Sequence, residues 1–457
     1  MGKKLRRGLA YAKRHGISQT ARRLFLKKKE RKKQDRIYAL WRETNLPTPE
    51  ELQRQREETF FPPVKISVVV PVYRTPDKYL REMLTSLQNQ TYRDFELCLA
   101  VTVDDNCKKK ETEHIAEIIE GFRPDLPQIV VKNLEQNRGI AENTNAAIEL
   151  ATGDVVAFMD HDDTLSPDAL YEVAKAFAED DRTDIVYSDQ DKLRDETGEY
   201  ADPLFKKDYD YVMLLSFNYL SHFFAARRRI LDALDALNRP EFDGAQDYDL
   251  ILRLTEKADR IVHVPKPLYH WREHANSTAM DPESKGYAYE AGRHAIEAHF
   301  HRVGSPVRVS FGERPGLYRV DFSGGSLPDV KELILDDEKQ DEEENKTNIL
   351  RTLKESEEDF LFVRQKDLKT GTVLPKLFAY ALMEQAAAVM PRILSAKEKE
   401  DITESAAYFQ SIATQSCSEL RTDCVLLKKS AFDLSGNFFK KKEGYIYIYD
   451  PSVVIKR

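Results

Sequence analysis

Continuous apolar runs and amphipathic segments alternate along residues 65–180 of the chain. The apolar runs cover residues 65–73, 95–103, 129–133 and 155–159. Each predicts a strand that is buried on both faces. The segment after the first run has apolar residues at i, i+3, i+4 and i+7 from Leu80, which predicts a helix with a core-facing stripe. Strands that alternate with helices in this way predict a parallel, doubly wound α/β sheet.

The fourth apolar run ends abruptly in acids. Asp160, Asp162 and Asp163 follow it, and the dipeptide Ser166-Pro167 then predicts the start of a helix. Ligands of such sheets bind beyond the carboxyl ends of the strands. Three adjacent carboxylates repel one another unless a cation or solvent offsets their charge. Acids before a helix can also act only as caps, but the Ser-Pro pair already supplies a cap here. The stretch therefore favours a metal or polar-ligand site.

Beyond residue 180 the pattern changes. Residues 185–191 predict another strand that ends in acids, and residues 261–264 and 268–271 predict a short β segment. A helix is predicted to begin near Gln246, with Asp247 in its first turn. An acid at this position can serve only the helix dipole, which would lower its pKa.

Length and composition limit the class of protein. A chain of 457 residues predicts two to three domains. No window approaches 18 consecutive apolar residues, and the first residues have no apolar core of a signal peptide, so we expect a cytoplasmic protein. Four cysteines without a CxxC pair are typical of reduced thiols.

Charge is unevenly distributed. Residues 1–42 carry 16 Lys/Arg against two Asp/Glu, so the rest of the chain holds a net charge of −22. Apolar residues scattered among these cations predict a basic amphipathic helix on an anionic membrane surface, at the inner face of the cell membrane. A solvated helix or tail is the plain alternative. Nucleic acid ranks last, because no recognition motif accompanies the arm, and no nucleic-acid partner is expected.

Five segments in order carry a resemblance over residues 60–305. They are Val68-Val69-Val70-Pro71-Val72-Tyr73, Asn137-Arg138-Gly139-Ile140, Asp160-His161-Asp162-Asp163, Gln246-Asp247-Tyr248-Asp249-Leu250 and Tyr269-His270-Trp271-Arg272. Together they resemble the family 2 glycosyltransferases of GT-A fold, including bacterial enzymes of O-antigen and cell-wall polysaccharide synthesis such as rhamnosyltransferases. The resemblance implies an inverting transfer of a hexosyl or rhamnosyl group from a UDP- or dTDP-linked sugar to a growing polysaccharide or lipid-linked glycan.

The resemblance also implies roles for individual residues. It implies Mg²⁺ or Mn²⁺ at Asp160, Asp162 and His270, with Asp162 the foremost direct ligand, and Asp247 as the base. The implied donor-binding residues are Pro71, Tyr73, Arg74, Asp104, Asn137, Arg138, Asp160 and Arg272. The implied acceptor-binding residues are Ser188, Asp189, Asp191 and Trp271. Purely structural roles stay open for His270 at a strand end and for the acids that follow residue 187.

One segment departs from the family pattern. Relatives have an Asp-Asp-Gly-Ser type of turn after the second strand, where an acid contacts the nucleotide base. Here the strand continues through residues 99–103 before Asp104-Asp105-Asn106. The turn is displaced, or the base is recognised differently, and the sequence leaves the nucleotide open.

The last 150 residues predict a second α/β domain. Residues 333–337, 359–363 and 387–391 are strand-like, and residues 424–429 echo residues 223–228. The order suggests a shortened, degenerate GT-A repeat. Where acids should recur, residues 363–367 contain Arg364 and Lys366, so this half is predicted to be inactive and to serve packing, dimerisation or acceptor binding.

The predicted organisation and function follow from these observations. The predicted domains are a basic arm over 1–45, a linker over 46–63, a GT-A domain over 64–304 and a degenerate domain over 305–457. A sugar-phosphate nucleotidylyltransferase is disfavoured, because residues 71–74 lack the glycines of a triphosphate-binding loop. A catalytically inactive scaffold or acceptor-binding protein of the same pathway is the alternative to an active, metal-dependent transferase.

Overall fold

The computed structural model of the protein describes most of the chain. The described residues are 17–102, 109–126, 128–273, 286–323, 327–335, 342–366, 368, 373–394, 414–421, 423–435, 440–443 and 445–456. Among these residues, no helix has the length and apolar character needed to cross a bilayer.

The described residues form strands and helices throughout. The strands are β1 Ile66–Val72, β2 Phe95–Thr102, β3 Ile129–Leu134, β4 Val155–Phe158, β5 Thr164–Leu165, β6 Thr183–Arg194, β7 Tyr200–Leu204, β8 Phe224–Arg227, β9 Arg260–Glu273, β10 Arg308–Phe311, β11 Tyr318–Asp321, β12 Val330–Leu335, β13 Phe360–Gln365, β14 Ala386–Leu394, β15 Gln415–Cys417, β16 Cys424–Lys428, β17 Phe432–Asp433, β18 Lys440–Lys441 and β19 Ile446–Lys456. The α-helices are α1 Ile17–Asn45, α2 Pro49–Glu57, α3 Asp77–Gln88, α4 Lys109–Phe122, α5 Ile140–Ile148, α6 Ala169–Glu179, α7 Tyr211–Ser216, α8 Arg228–Asp232, α9 Gln246–Thr255, α10 Gly286–Arg302, α11 Glu342–Glu355 and α12 Val373–Ala381.

The first sheet confirms the α/β prediction. Its strand order is β3-β2-β1-β4-β8-β6-β9-β5, with β7 paired to β6. Strands β3, β2, β1 and β4 are parallel, as are β6 and β9, whereas β8 is antiparallel to both of its neighbours. The sheet is therefore mostly parallel, and its parallel half ends at β4, the strand that precedes the acids.

The first two apolar runs form strands that are buried on both faces, as predicted. Every residue of β1 and β2 is buried, and the predicted stripe Leu80, Met83, Leu84 and Leu87 of α3 is fully buried beside them. Each such side chain contributes about 2 kcal/mol by leaving water. The helix after the acids begins at Ala169, later than the predicted cap, because the Ser166 hydroxyl bonds to Asp168 instead.

The second half of helix α1, in the predicted basic arm, packs against the first sheet. It packs on β6, β7 and β9, where the carboxylate of Asp35 accepts two bonds from the guanidinium of Arg194, at 2.8 and 2.9 Å. Tyr38 is buried, and Trp41 packs edge-on to Phe205 with ring centroids 4.9 Å apart. Residues 1–16 of the predicted arm lie outside the described residues.

The second sheet repeats the central pairing of the first. Its order is β12-β13-β16-β14-β19-β15. Strand β12 is parallel to β13, β16 is antiparallel to β13 and β14, and β14 is parallel to β19. In the first sheet β1, β4, β8, β6 and β9 follow one another in the same order, senses and chain succession. This correspondence supports a shortened repeat, in which β2 and β3 have no counterpart among the described strands.

Candidate functional site

The acidic turn after β4 is held by strand β9. The hydroxyl of Tyr269 donates to Asp163 Oδ2 at 2.5 Å and accepts from the backbone N–H of Asp160 at 3.2 Å. The backbone N–H of Arg272 donates to Asp163 Oδ1 at 2.7 Å. Asp163 is fully buried, so its carboxylate fixes the shape of the turn that presents Asp160 and Asp162.

The electrostatics of this turn favour a cation. Burial raises the pKa of Asp163 well above its usual range, and the charges of Asp162 and Asp160 raise it further. Desolvation and the charge of Asp162 raise the pKa of Asp160 to about 6, although 46% of its side chain stays exposed. A cation bound between these carboxylates would relieve the repulsion.

His222 joins the acids from the neighbouring strand. Phe158 of β4 pairs with Phe224 of β8, and the antiparallel register therefore places His222 opposite Asp160. Its Nδ1 lies 3.9 Å from Asp160 Oδ2. The ring of His222 is nearly parallel to that of Trp271, with centroids 5.9 Å apart. No local sequence pattern indicates a role for His222, because only the β4–β8 register brings it to the site.

Three side chains are close enough to share one ion. One ligand atom from each of Asp160, Asp163 and His222 lies within 4.8 Å of the others. Two hard carboxylate oxygens with one imidazole suit Mn²⁺, and Mg²⁺ through the oxygens. The predicted ligand Asp162 is not in this trio, but its charge acts on both Asp160 and Asp163, so it lies beside them.

The structure does not bring His270 to the acids. Successive side chains of a strand point to opposite faces, and Tyr269 and Trp271 occupy the face toward His222. His270 is buried on the other face, where its Nδ1 lies 2.6 Å from Asp191 Oδ1. Its predicted role as a metal ligand therefore disagrees with its position.

The side chain of Arg272 bonds to the backbone of the acidic turn. Its Nε donates to the carbonyl of Asp162 at 2.5 Å, and its Nη2 lies 2.7 Å from Glu82 Oε2. The side chain is almost wholly buried. The predicted contact with the donor is thus replaced, in this structure, by contacts that hold the turn.

The recess is the space between Asp247, Asp160 and His222, and the charges of the last two act on Asp247. Asp247 is in the first turn of α9, and its Oδ2 accepts from Asn218 Nδ2 at 2.9 Å. Burial raises the pKa of Asp247; the nearby charge of His222 opposes that rise and the charge of Asp160 adds to it. The expectation that the helix dipole would lower this pKa was wrong, because desolvation outweighs it. A carboxyl with a raised pKa is suited to accept a proton.

The predicted donor residues lie in two loops. Tyr73 and Arg74 follow β1, with the guanidinium of Arg74 5.0 Å from the Tyr73 ring centroid, while Pro71 is buried within the strand. The next residue, Thr75, joins this loop to the acidic turn, because its hydroxyl lies 2.9 Å from His161 Nδ1.

The second donor loop precedes α5. Asn137 and Arg138 are exposed there, and Asn137 Oδ1 accepts from the backbone N–H of Gly139 at 3.1 Å. Gly139 has a φ of 95° and leaves no room for a side chain beside Asp243. The predicted donor residue Asp104 lies outside the described residues.

Three predicted acceptor residues are buried, and their side chains are engaged in hydrogen bonds within the protein. The hydroxyl of Ser188 bonds to the carbonyl of Asp189, and Asp189 Oδ1 accepts from the backbone of Lys206 at 2.7 Å. Asp191 Oδ2 accepts from Tyr38 and Arg42 of α1 at 2.6 and 2.7 Å. Asp191 is thereby fully buried beside His270, on the face of the sheet opposite the recess. Trp271 is the one residue of this predicted group that borders the recess.

A family model matches part of the chain. Residues 67–235 match the model described as Glycosyl transferase family 2. This segment covers β1 to β8 and the acidic turn. It therefore contains β4 and β8, the two strands that bring Asp160 and His222 together. The match and the strand order agree with the GT-A fold implied by the sequence.

Curated relatives extend beyond the matched segment. The chain is 36% identical over 272 residues to uncharacterized protein y4gI of Sinorhizobium fredii, covering 59% of this chain and 29% of that protein. It is 35% identical over 291 residues to O-antigen biosynthesis protein RfbC of Myxococcus xanthus, covering 64% of this chain and 22% of the other. It thus spans less than a third of the length of these relatives.

Further likenesses are more distant. Poly(ribitol-phosphate) beta-N-acetylglucosaminyltransferase TarS of Staphylococcus aureus is 29% identical over 230 residues, covering 48% of this chain and 38% of that enzyme. The crystal structure of S. aureus TarS 1-349 with UDP-GlcNAc has a TM-score of 0.40 at 24% identity, over 52% of this chain and 66% of that one. A Pyrobaculum calidifontis mannosyltransferase with GDP-Man and Mn²⁺ has a TM-score of 0.37 at 18% identity, over 56% and 70%.

Proposed function

Because residues 67–235 match the Glycosyl transferase family 2 model, we propose that the chain transfers a sugar from a nucleotide-sugar donor to a glycan acceptor, with inversion and with a divalent cation. The observation that carries this proposal is the proximity of Asp247 to Asp160 and His222, whose charges both act on it. A cation site and a base facing one space are what a direct displacement from a diphosphate leaving group requires.

We assign the donor side to the acidic turn. Asp160 and Asp163, with His222, would hold Mg²⁺ or Mn²⁺, and Asp162 adds a further carboxylate beside them. When bound, the ion would neutralise charge on the leaving diphosphate. The chain's own part is to hold the turn still, through Tyr269 and the backbone of Arg272.

We assign the acceptor side to Asp247. The acceptor hydroxyl would attack the anomeric carbon as its bond to the diphosphate oxygen breaks, and the hydroxyl proton would pass to Asp247. Asn218 donates to one oxygen of Asp247 and thereby orients the carboxylate. The Oδ1 of Asn218 is buried and has no hydrogen-bond partner among the described residues, so a hydroxyl of the acceptor could donate to it.

The second sheet is assigned no active site of its own. Aligning residues 424–429 with 223–228 places Val363, which pairs with Val425, at the position of Phe158. Gln365 then stands where Asp160 stands in the first sheet, and the neutral amide would not replace an anionic ligand. Arg364 and Lys366 flank it and add positive charge.

The names of two relatives guide the proposed substrate class. RfbC is named for O-antigen biosynthesis and TarS for transfer of N-acetylglucosamine to poly(ribitol phosphate). We infer a UDP- or dTDP-linked hexose or deoxyhexose as donor, and a cell-surface polysaccharide or lipid-linked glycan as acceptor.

Helix α1 supports a membrane-associated location. Seven of its exposed residues recur at i, i+4, i+7, i+8, i+11, i+12 and i+15, a spacing that places these seven on one face. The exposed face comprises Phe25, Lys29, Lys32, Lys33, Arg36, Ile37 and Leu40. Cations mixed with large apolar side chains suit an anionic lipid surface better than nucleic acid. We infer peripheral binding at the cytoplasmic face of the cell membrane.

A donor screen tests the proposed activity. The purified protein is incubated with a panel of UDP- and dTDP-sugars, with Mn²⁺ or with EDTA, and release of the nucleoside diphosphate is measured. We expect release with at least one donor, its loss in EDTA, and a drop of about 100-fold in Asp160→Asn. Release by no donor, or equal release by Asp160→Asn, would contradict the proposal in favour of an inactive scaffold.

A further inference from the structure

Strand β15 of the second sheet is bonded to the segment that precedes α7. The backbone N–H and the hydroxyl of Ser416 both donate to Asp210 Oδ2, each at 2.9 Å. The Nζ of Lys207 donates to the carbonyl of Ser416 at 2.6 Å. At the far end of α7, the hydroxyl of Ser216 donates to the carbonyl of Thr414 at 3.0 Å. The second sheet is therefore hydrogen-bonded to both ends of α7.

Asp210 is the centre of this contact. It is buried, and it is the N-cap of α7, with its Oδ1 accepting from the backbone N–H of Met213 at 3.1 Å. Its own backbone N–H donates to the hydroxyl of Tyr219 at 2.7 Å. One carboxylate thus joins the start of α7 to the second sheet, and its displacement would disturb both.

Helix α7 passes this constraint to the recess. It has only six residues, and Asn218, which orients Asp247, follows two residues after its end. The hydroxyl of Tyr248, next to Asp247, also bonds to the carbonyl of Leu214 in α7. Because α7 is short and bonded along its length, a shift at Ser416 would move Asn218 relative to Asp247.

Thr414, which accepts the bond from Ser216, is in turn held by Asp450 of the second sheet. The hydroxyl of Thr414 donates to Asp450 Oδ1 at 3.3 Å, and Arg319 Nη1 lies 2.7 Å from Asp450 Oδ2. Asp450 is fully buried within β19. Loss of the Arg319 contact would leave the buried charge of Asp450 uncompensated, so this ion pair helps to hold Asp450, and with it Thr414, in place.

We propose that the second sheet is a positioning element for the catalytic carboxylate of the first. Through Ser416, Asp210 and Ser216 it fixes α7, and α7 fixes the Asn218 amide against Asp247. This proposal rests on the proposed function, in which Asp247 is the base. The inactive repeat is thus required for transfer without touching either substrate, and its contact residues are positioning residues.

The test removes the side-chain hydrogen bonds between the two sheets without substituting any residue of the recess. The bond from Lys207 Nζ to Asp210 Oδ2 is lost with them, whereas the backbone N–H of Ser416 keeps its bond to Asp210. The triple variant Lys207→Met, Ser216→Ala, Ser416→Ala is compared with Lys429→Met, Ser430→Ala, which removes equivalent groups whose bonds stay inside the second sheet, to Ser356 and Asp359. We expect kcat of the triple variant to fall about tenfold with donor KM within twofold, because misplacement affects the transition state more than donor binding. Ser416→Thr, which keeps the hydroxyl, should retain activity.

Amide hydrogen exchange of residues 211–219 supplies a readout that does not depend on activity. We expect faster exchange there in the triple variant and wild-type exchange in the control. An unchanged kcat, an equal loss in the control, or unchanged exchange would overturn the proposal. If the wild-type protein transfers no sugar, the proposed function fails, whereas the exchange data still decide whether the second sheet holds α7.

Discussion

His222 Nδ1 lies 3.9 Å from Asp160 Oδ2, across the antiparallel pair of β4 and β8. The first residue comes from the loop before β8 and the second from the turn after β4, so the pairing of the two strands sets their separation. Asp163 Oδ and the two other ligand atoms lie within 4.8 Å of one another. His222 is therefore the residue of the recess that most directly tests the proposed cation site.

Replacing His222 should weaken Mn²⁺ binding. We expect His222→Ala to raise the dissociation constant for Mn²⁺ by at least about 10-fold, because loss of even an outer-shell partner of a metal ligand weakens metal binding by about 10- to 100-fold. Calorimetric titration of the nucleotide-free protein measures this. His161→Ala is the matched control, because His161 lies between the acids in sequence but bonds to Thr75. Equal affinities in His222→Ala and wild type would exclude His222 from the site.

Asp247 and Asp249 should separate catalysis from stability. In Asp247→Asn we expect kcat to fall by at least about 100-fold with donor binding retained, because the base is lost. Asp249 is fully buried and pairs with Arg239 and Arg253, so Asp249→Asn should unfold more easily, by about 3 kcal/mol. Steady-state kinetics and urea unfolding of both variants provide the comparison. A stable Asp247→Asn protein with wild-type kcat would remove Asp247 from the mechanism.

The sequence predicted the strands and the acidic turn because both are local signals. Burial on two faces gives continuous apolar runs, and β1 and β2 are buried throughout as expected. The errors were non-local. Alternation along β9 turns His270 away from the acids, and Tyr38 and Arg42, about 150 residues earlier in the chain, bury Asp191. Neither contact leaves a periodic trace in the sequence.

Glu96 should make the first domain sensitive to acid. Burial raises its pKa, but hydrogen bonds from Lys65, Ser67 and Thr152 outweigh burial and lower it to about 2, from an ordinary value of 4.5. Between pH 4.5 and 2, the Glu96 carboxylate therefore stays ionised in the native state but is protonated in the unfolded chain. Its stabilisation is complete above pH 4.5 and is lost as the pH falls toward 2.

The variant Glu96→Gln tests this pH dependence. A shift of this size corresponds to at most about 3 kcal/mol. We therefore expect Glu96→Gln to have a lower free energy of unfolding than wild type at pH 7. The difference between the two proteins should narrow steadily below pH 4.5, as measured by urea titrations at several pH values. Glu149→Gln, at an exposed ion pair with Lys132, should show little difference at any pH. A gap that stays constant down to pH 3 would assign the effect of Glu96 to packing alone.

The exposed face of α1 should bind anionic vesicles through both charge and apolar contact. Phe25, Ile37 and Leu40 are each at least half exposed, and Lys29, Lys32, Lys33 and Arg36 lie between them on the same face. The opposite face is occupied by contacts with the first domain, through Asp35 and Tyr38. The contacts with the first domain therefore leave the cationic and apolar face of α1 exposed to lipid.

Two variants separate the contributions to vesicle binding. We expect Phe25→Ser, Ile37→Ser, Leu40→Ser to lower flotation with phosphatidylglycerol vesicles about tenfold at any salt concentration, because apolar burial is lost. Replacing the four cations by Gln should remove the component that salt weakens. Phe61→Ser is the matched control, since Phe61 is 94% exposed but lies outside α1. Wild-type flotation of both variants, or equal flotation with neutral phosphatidylcholine, would refute the assignment of this face to an anionic membrane.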